Sequence, residues 1–326
     1  MNKSCLIGFL MCSAFSLVVQ AATDGAHITK TISQIERKKG IKRTIQYRPD
    51  GNDFVCVNGK NRYTRALYGG ITDFRIETSD RPVFAAYKPK DSKHICFRLQ
   101  CGNQSIALDS LKFCEARYRA GRRTYRLTDP LLGKGELNIS VLAFPDAEGG
   151  IWRFTMKDMP EGALLHCYIS EIRAKNLSRN GDMGADRADS FDAPQLPKEQ
   201  KHYKLSLDGT TAYIVVEDQE LRLPALVEGT SLYDKSEKWR SEIESSLQIS
   251  TPDPYFNPLG GALAAAADGI WDGKIWLHGA IGWRSQLNGW RAAYIGDFIG
   301  WHDRARTHFD SYAASQVTDV PATIPH

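Results

Sequence analysis

The sequence predicts a mainly β protein, an antiparallel β-sandwich followed by a short helical segment. Three observations carry this. From about Arg48 to Val227 the chain alternates apolar and polar residues in short runs punctuated by Gly, Pro and Asp, the pattern of half-buried strands joined by turns. No long stretch of helical period separates those runs, which argues against a parallel sheet with crossover helices. After about Ser250 the composition shifts, and five of the seven tryptophans fall between Trp271 and Trp301.

Taken in order, residues 1–21 read as a signal peptide. Lys3 gives the positive start, Cys5 to Val19 the apolar run, and Val19-Gln20-Ala21 the small residues at a cleavage site. The run is short of the roughly 20 residues that a membrane span needs. The expected product is an exported chain, periplasmic or secreted, with no membrane span.

Residues 22–250 are assigned to the β domain. Phe54 to Val57, the Asn58-Gly59 pair and Arg62 to Leu67 read as a hairpin, because Asn-Gly tolerates the positive φ angles of a tight turn. Further strands are expected at Phe74 to Glu77, Val83 to Tyr87, Ile95 to Leu99, Ser105 to Leu108 and Arg122 to Leu127. The series continues with Leu137 to Phe144, Ile151 to Met156, Leu164 to Ile172 and Ala212 to Glu217. Asn176 to Lys201, polar and carrying Pro194 and Pro197, reads as a long loop. Outside the leader, Cys56, Cys96, Cys101, Cys114 and Cys167 are odd in number, so at least one thiol is free. Cys96 and Cys101 could close a hairpin, or all five could be small buried hydrophobes.

Residues 251–326 form the helical segment. Pro252-Asp253-Pro254 marks a helix start that continues through Leu259 to Ala267. Gly269 and Gly273 break it, Ile275-Trp276-Leu277 crosses in extended form, and a second helix is expected from about Trp283 to Gln316. On that helix Trp283, Leu287, Trp290, Tyr294, Asp297 and Trp301 fall within about 80° of one another. Gly289, Gly296 and Gly300 lie roughly opposite and permit close approach by a neighbouring helix. The aromatic stripe has two readings, a core face or a wall on which the apolar side of a sugar ring rests.

Forty-two Lys and Arg against 38 Asp and Glu leave a formal charge of only +4, which gives no case for nucleic acid. Gly269 to Lys274 is too short for a phosphate loop and Ile275 stands where Ser or Thr is required. His302 and His308 are six apart, not the three or four that bring ligands together on a helix. The sequence thus calls for no cofactor and no metal. Arg117, Arg119, Arg122, Arg123 and Arg126 make a basic run on a strand pair, read as a solvated sheet face, with contact to an acidic polysaccharide as the alternative.

Tyr47-Arg48-Pro49-Asp50-Gly51-Asn52-Asp53-Phe54, with Asn58-Gly59-Lys60 and Arg65-Ala66-Leu67-Tyr68-Gly69, resembles the N-terminal β domain of large exported proteins of glycan-degrading bacteria. In those proteins it precedes a six-hairpin (α/α)6 glycosidase barrel. Thr251 to Phe256, Gly282 to Arg291 and Asp303-Arg304-Ala305-Arg306 look like the opening helices of that barrel. The resemblance implies a carbohydrate-active protein, the N-terminal part of a glycoside hydrolase acting on complex polysaccharide. With 76 residues after Ser250, too few for twelve helices, the full catalytic barrel is expected to be lacking and the catalytic acids to fall outside the chain. A noncatalytic glycan-binding or scaffold module is the alternative. Trp283, Arg284, Asn288, Trp290, Arg291 and Asp297 are the expected substrate-binding residues, a glycan or oligosaccharide the expected partner. An open helical face would favour self-association.

Overall fold

The computed structural model describes residues 46–175, 177, 187–281 and 284–318. The expected leader and its expected cleavage site, Trp283, and residues 176 and 178–186 of the expected 176–201 loop lie outside the described residues. Among the described residues fifteen strands form two antiparallel sheets. In the first, of eight strands, the order is β1 (Arg48–Asp50), β2 (Asp53–Val57), β8 (Phe113–Arg119), β9 (Arg122–Thr128), β10 (Glu136–Ala143), β11 (Gly149–Lys157), β14 (Thr211–Glu217) and β15 (Glu220–Arg222). The second runs β13 (Gln200–Ser206), β12 (Leu164–Glu171), β6 (Lys93–Cys101), β5 (Val83–Tyr87), β4 (Arg75–Thr78) and β3 (Arg65–Tyr68), with β7 (Gln104–Ala107) also on β6.

Period-2 alternation decides which side chains turn inward. On β9 these are Arg123, Tyr125 and Leu127, and on β12 Leu165, Cys167 and Ile169. One core takes residues from both sheets, and rings meet across it: Phe84 of the second sheet contacts Tyr125 and Trp152 of the first at 5.7 and 5.6 Å between centroids, both edge to face. Phe97 meets Phe154 in the same way at 5.5 Å. Burying side chains of this size is worth roughly 1.5–3 kcal/mol each.

Asn58 does take positive φ, at 50°, but the expected hairpin there is not formed. β2 pairs with β1 and β8, whereas β3 pairs with β4 in the other sheet. The turn carries the chain between sheets, and Asn58 is held by its N–H donating to Cys114 O at 2.8 Å and its Oδ1 accepting from Cys114 N–H at 2.9 Å. Part of the expected 176–201 loop is regular: β13 begins at Gln200. Among the described residues all five cysteines are free. Cys96 and Cys101 share β6, five positions apart and on opposite faces, so no bond can join them.

Among the described residues four α-helices follow: α1 (Leu226–Ser245), α2 (Leu259–Asp268), α3 (Ala293–Phe298) and α4 (His302–Ala314). α1 has no counterpart in the sequence reading. It lies on the outer face of the first sheet, where Gly229 abuts Tyr213 and Tyr233 hydrogen-bonds Ser140 at 2.7 Å. Asp253 caps a turn ahead of α2, accepting from Tyr255 N–H at 2.9 Å. The single helix expected from Trp283 to Gln316 is instead a short 3-10 turn (Gly289–Ala292), α3 and α4. The chain breaks at Gly300, whose φ of +88° lies outside the helical region. None of the described helices is long and apolar enough to cross a membrane.

Candidate functional site

The break at Gly300 redistributes the aromatic stripe. Trp276 is almost fully buried, donates its indole N–H to Ala267 O at 3.1 Å and lies parallel to Trp301 at 6.5 Å. Trp271 packs on it at 4.5 Å. Arg304 lies over the rings of Trp271 and Trp301 and pairs with Asp268 at 2.7 Å. Burial raises the Asp268 carboxyl, and Arg304 pulls it partly back. Trp276 is core, and Trp271 and Trp301 pack against it partly buried. Gly296 admits the Trp276 ring: a Cβ there would sit 2.0 Å from Cη2. The close approach expected of the glycine face is therefore real at this position, and the partner is an indole, not a helix.

His308 ties the unit together. Trp276 N–H donates to its Nδ1 at 3.0 Å, so Nδ1 carries no proton, and its Nε2–H donates to Gly289 O at 3.1 Å. Burial holds its pKa below the usual imidazole range.

The expected substrate-binding residues divide. Trp290, Arg291 and Asp297 are all exposed, the first two on the 3-10 turn and the third on α3. Trp290 and Tyr294 are 43% and 56% exposed and meet edge to face at 5.5 Å. The Arg291 guanidinium lies 5.0 Å over the Trp290 ring. Asp297, three residues after Tyr294 and on the same helical face, bonds His302 Nδ1 at 2.7 Å. Phe298 is 80% exposed, and Phe309 of α4 meets Tyr294 at 6.4 Å.

Arg284 and Asn288 are directed elsewhere. Arg284 anchors the preceding loop to the second sheet's end, through Thr72 Oγ1 at 2.8 Å and Asp73 at 2.8 Å. Asn288 braces the turn through His278 Nδ1 at 3.1 Å and Leu277 O at 3.2 Å. Both are positioning contacts. Trp283 lies outside the described residues.

Residues 89–217 match the family model described as Domain of unknown function (DUF4450). That span contains β6 through β14 and draws on both sheets, but it stops before the helices. No curated protein matches the chain.

Three features went unseen in the sequence reading. First, a cleft of about 470 Å³ lies where α1 and the start of α2 meet the edge of the first sheet. It contains none of the expected residues. Its walls include Asn52, Arg119, Glu244, Gln248 and Asn257. Arg119 and Arg240 hold the Glu244 carboxyl below its usual value against the opposing effect of burial. Second, the basic run is not a solvated face. Arg119 and Arg122 reach Glu244 and Glu237 of α1, both at 2.7 Å, Arg117 bonds Glu115 and Asp50, and Arg126 lies 3.5 Å from Glu115 and Glu136. Arg123 is wholly buried between the sheets, where it donates to Tyr47 Oη at 2.7 Å and to Ser79 O at 2.9 Å, 3.8 Å from Asp80. Third, Glu77 is fully buried against Arg75 on the opposite face of β4 from the core residue Ile76. Among the described residues no group of three His, Cys, Asp or Glu is placed to hold a metal ion.

Proposed function

We propose that this chain is a saccharide-contacting part of a glycoside-hydrolase-like protein. In this reading the two sheets form a β-sandwich, the helices open a six-hairpin barrel, and the protein works outside the cytoplasm after export. The observation that carries the proposal is the solvent-open ring wall of Trp290 and Tyr294, flanked by Arg291 and Asp297. Solvent-facing indole and phenol rings offer flat apolar surface to the C–H face of a pyranose, and neighbouring charged groups take its hydroxyls. Rings in the adjacent unit, Trp271, Trp276 and Trp301, are consumed by packing, so the open pair is not simply surplus core.

Hydrolysis of a glycosidic bond uses two carboxylates across the scissile linkage. Asp297 is instead engaged by His302, and Asp268 by Arg304, which favours recognition over cleavage at this place. A broad glycan array run with a reducing-sugar release assay tests the reading. Binding without release is the expected result, release would show a catalytic pair, and no binding to any glycan would defeat the proposal.

A further inference from the structure

The second sheet turns a different surface to solvent. Arg98 of β6, His166 of β12 and Lys204 of β13 stand directly opposite one another on three adjacent strands, and Tyr168 and His202 are paired in the next row. With Leu165, Cys167 and Ile169 in the core, these side chains share the outward face. His166 Nδ1 and His202 Nε2 are 2.8 Å apart, while the ring centres are 5.1 Å apart with planes only 8° from parallel. A contact that short between rings so separated means that they meet edge to edge, as one flat plate. On the far side His166 Nε2 bonds Gln100 Oε1 at 2.6 Å, so that nitrogen carries the proton. His166 Nδ1 then accepts from His202 Nε2–H, and the Tyr168 ring lies against His202 at 4.7 Å.

The charges are arranged unlike those of the first sheet, where each outward arginine of the basic run meets a carboxylate. Arg98 bonds only Ser105, through Oγ and O at 3.3 Å each, and among the described residues neither Arg98 nor Lys204 has a carboxylate partner. Neighbouring acids are committed elsewhere: Asp109 to Arg62, Glu171 to the Lys198 N–H, and Asp208 to Ser206 and the Gly162 N–H. A cationic row beside a hydrogen-bonded ring plate combines charge for an anionic group with flat surface for the ring that bears it.

We infer that the outer face of β6, β12 and β13 binds an anionic saccharide, its carboxylate or sulfate between Arg98 and Lys204 and its ring along the exposed His202 and the half-buried Tyr168, with the buried His166 bracing His202 from beneath. The inference deepens the saccharide reading at a site separate from the helical wall. The test is calorimetric titration of the full chain, at about 0.15 M salt, with polygalacturonate, dextran sulfate, neutral dextran and a DNA duplex. The Arg98→Ala/Lys204→Ala double variant should weaken polygalacturonate or dextran sulfate binding by about tenfold or more, whichever of the two binds naming carboxylate or sulfate as the group. Trp290→Ala should leave that binding in place. Lys204→Glu, a charge reversal at an exposed position, should weaken it further and gives a second variant if the alanines disturb folding. Unchanged binding in the double variant, no polyanion binding by the parent chain, or equal and equally sensitive binding of DNA would overturn the inference. Loss of polygalacturonate binding in Trp290→Ala alone would also overturn it, while leaving the helical wall standing.

Discussion

Arg122 and Arg123 are neighbours in sequence and opposites in the structure. Arg122 turns out to Glu237 of α1, whereas Arg123 is buried with Tyr47, Tyr125 and Asp80. The basic run reads as a solvated face: on β9 Arg123 alternates with Tyr125 and Leu127 on the inward side, but a doublet inside that run masks the signal, and nothing local in the sequence reveals a buried partner at Asp80. Asp80 accepts from Tyr47 Oη, from Thr64 Oγ1 at 3.0 Å and from Asn61 N–H at 2.9 Å. Removing one partner of a buried ion pair strands the other charge, a loss of about 3–5 kcal/mol. Asp80→Ala should therefore lower the urea midpoint steeply, and Arg123→Met combined with Asp80→Ala should recover part of the loss. A midpoint near the parent's in Asp80→Ala would show that the network contributes little. Of the residues expected to touch sugar, Trp290, Arg291 and Asp297 keep the exposure that the sequence spacing suggested, on the 3-10 turn and α3. Arg284 and Asn288 turn to Thr72, Asp73 and His278, partners set by the loop's path over the second sheet and not visible in local spacing.

At the scale of elements, most strands could be read from alternation, and α1 could not. Its buried positions are Gly229, Tyr233, Ser236, Arg240 and Ile243. They keep helical spacing, but small and charged side chains erase the hydrophobic period by which a helix is found. Arg240 serves there because Glu237 and Glu244 neutralise it at 2.7 and 2.8 Å. The opposite error, one long helix through Gly300, came from a period that continues in sequence across a backbone break. Two tests belong here. Gly296→Ala drives a methyl into the Trp276 ring and should cost about 1–3 kcal/mol by overpacking, read as a fall in thermal midpoint with a change in tryptophan fluorescence. An unchanged midpoint would mean that the ring is not seated there. His308 has its folded pKa depressed, so the unfolded chain takes up the proton first. Its contribution is present above the ordinary imidazole value of about 6.5 and is lost as pH falls through the lower folded value. Acidification should loosen the Trp271, Trp276 and Trp301 cluster in the parent chain but not in His308→Gln, and an identical fluorescence titration in both would count against the Nδ1 bond.

At the scale of the whole molecule, the two-sheet organisation follows from alternation alone, while the strand order does not. Sheet membership is set by which side of the shared core each strand completes, and the crossing at Asn58-Gly59 shows that a good turn signal need not make a hairpin. The helical segment leaves Leu287, Trp290, Tyr294, Ile295, Phe298 and Phe309 open to solvent. In the saccharide reading, the wall at Trp290 and Tyr294 is used for recognition, and the flanking apolar residues favour self-association. Sedimentation over a dilution series should show concentration-dependent association that Phe298→Glu reduces, and a monomer at every concentration would remove that expectation. The central claim is that the open rings contact sugar. It is tested most directly by titrating the full chain and its Trp290→Ala/Tyr294→Ala variant with the best ligand from the glycan array. Loss of one stacking platform should weaken binding by about tenfold or more with the fold intact, whereas equal affinity in the two proteins would contradict the account.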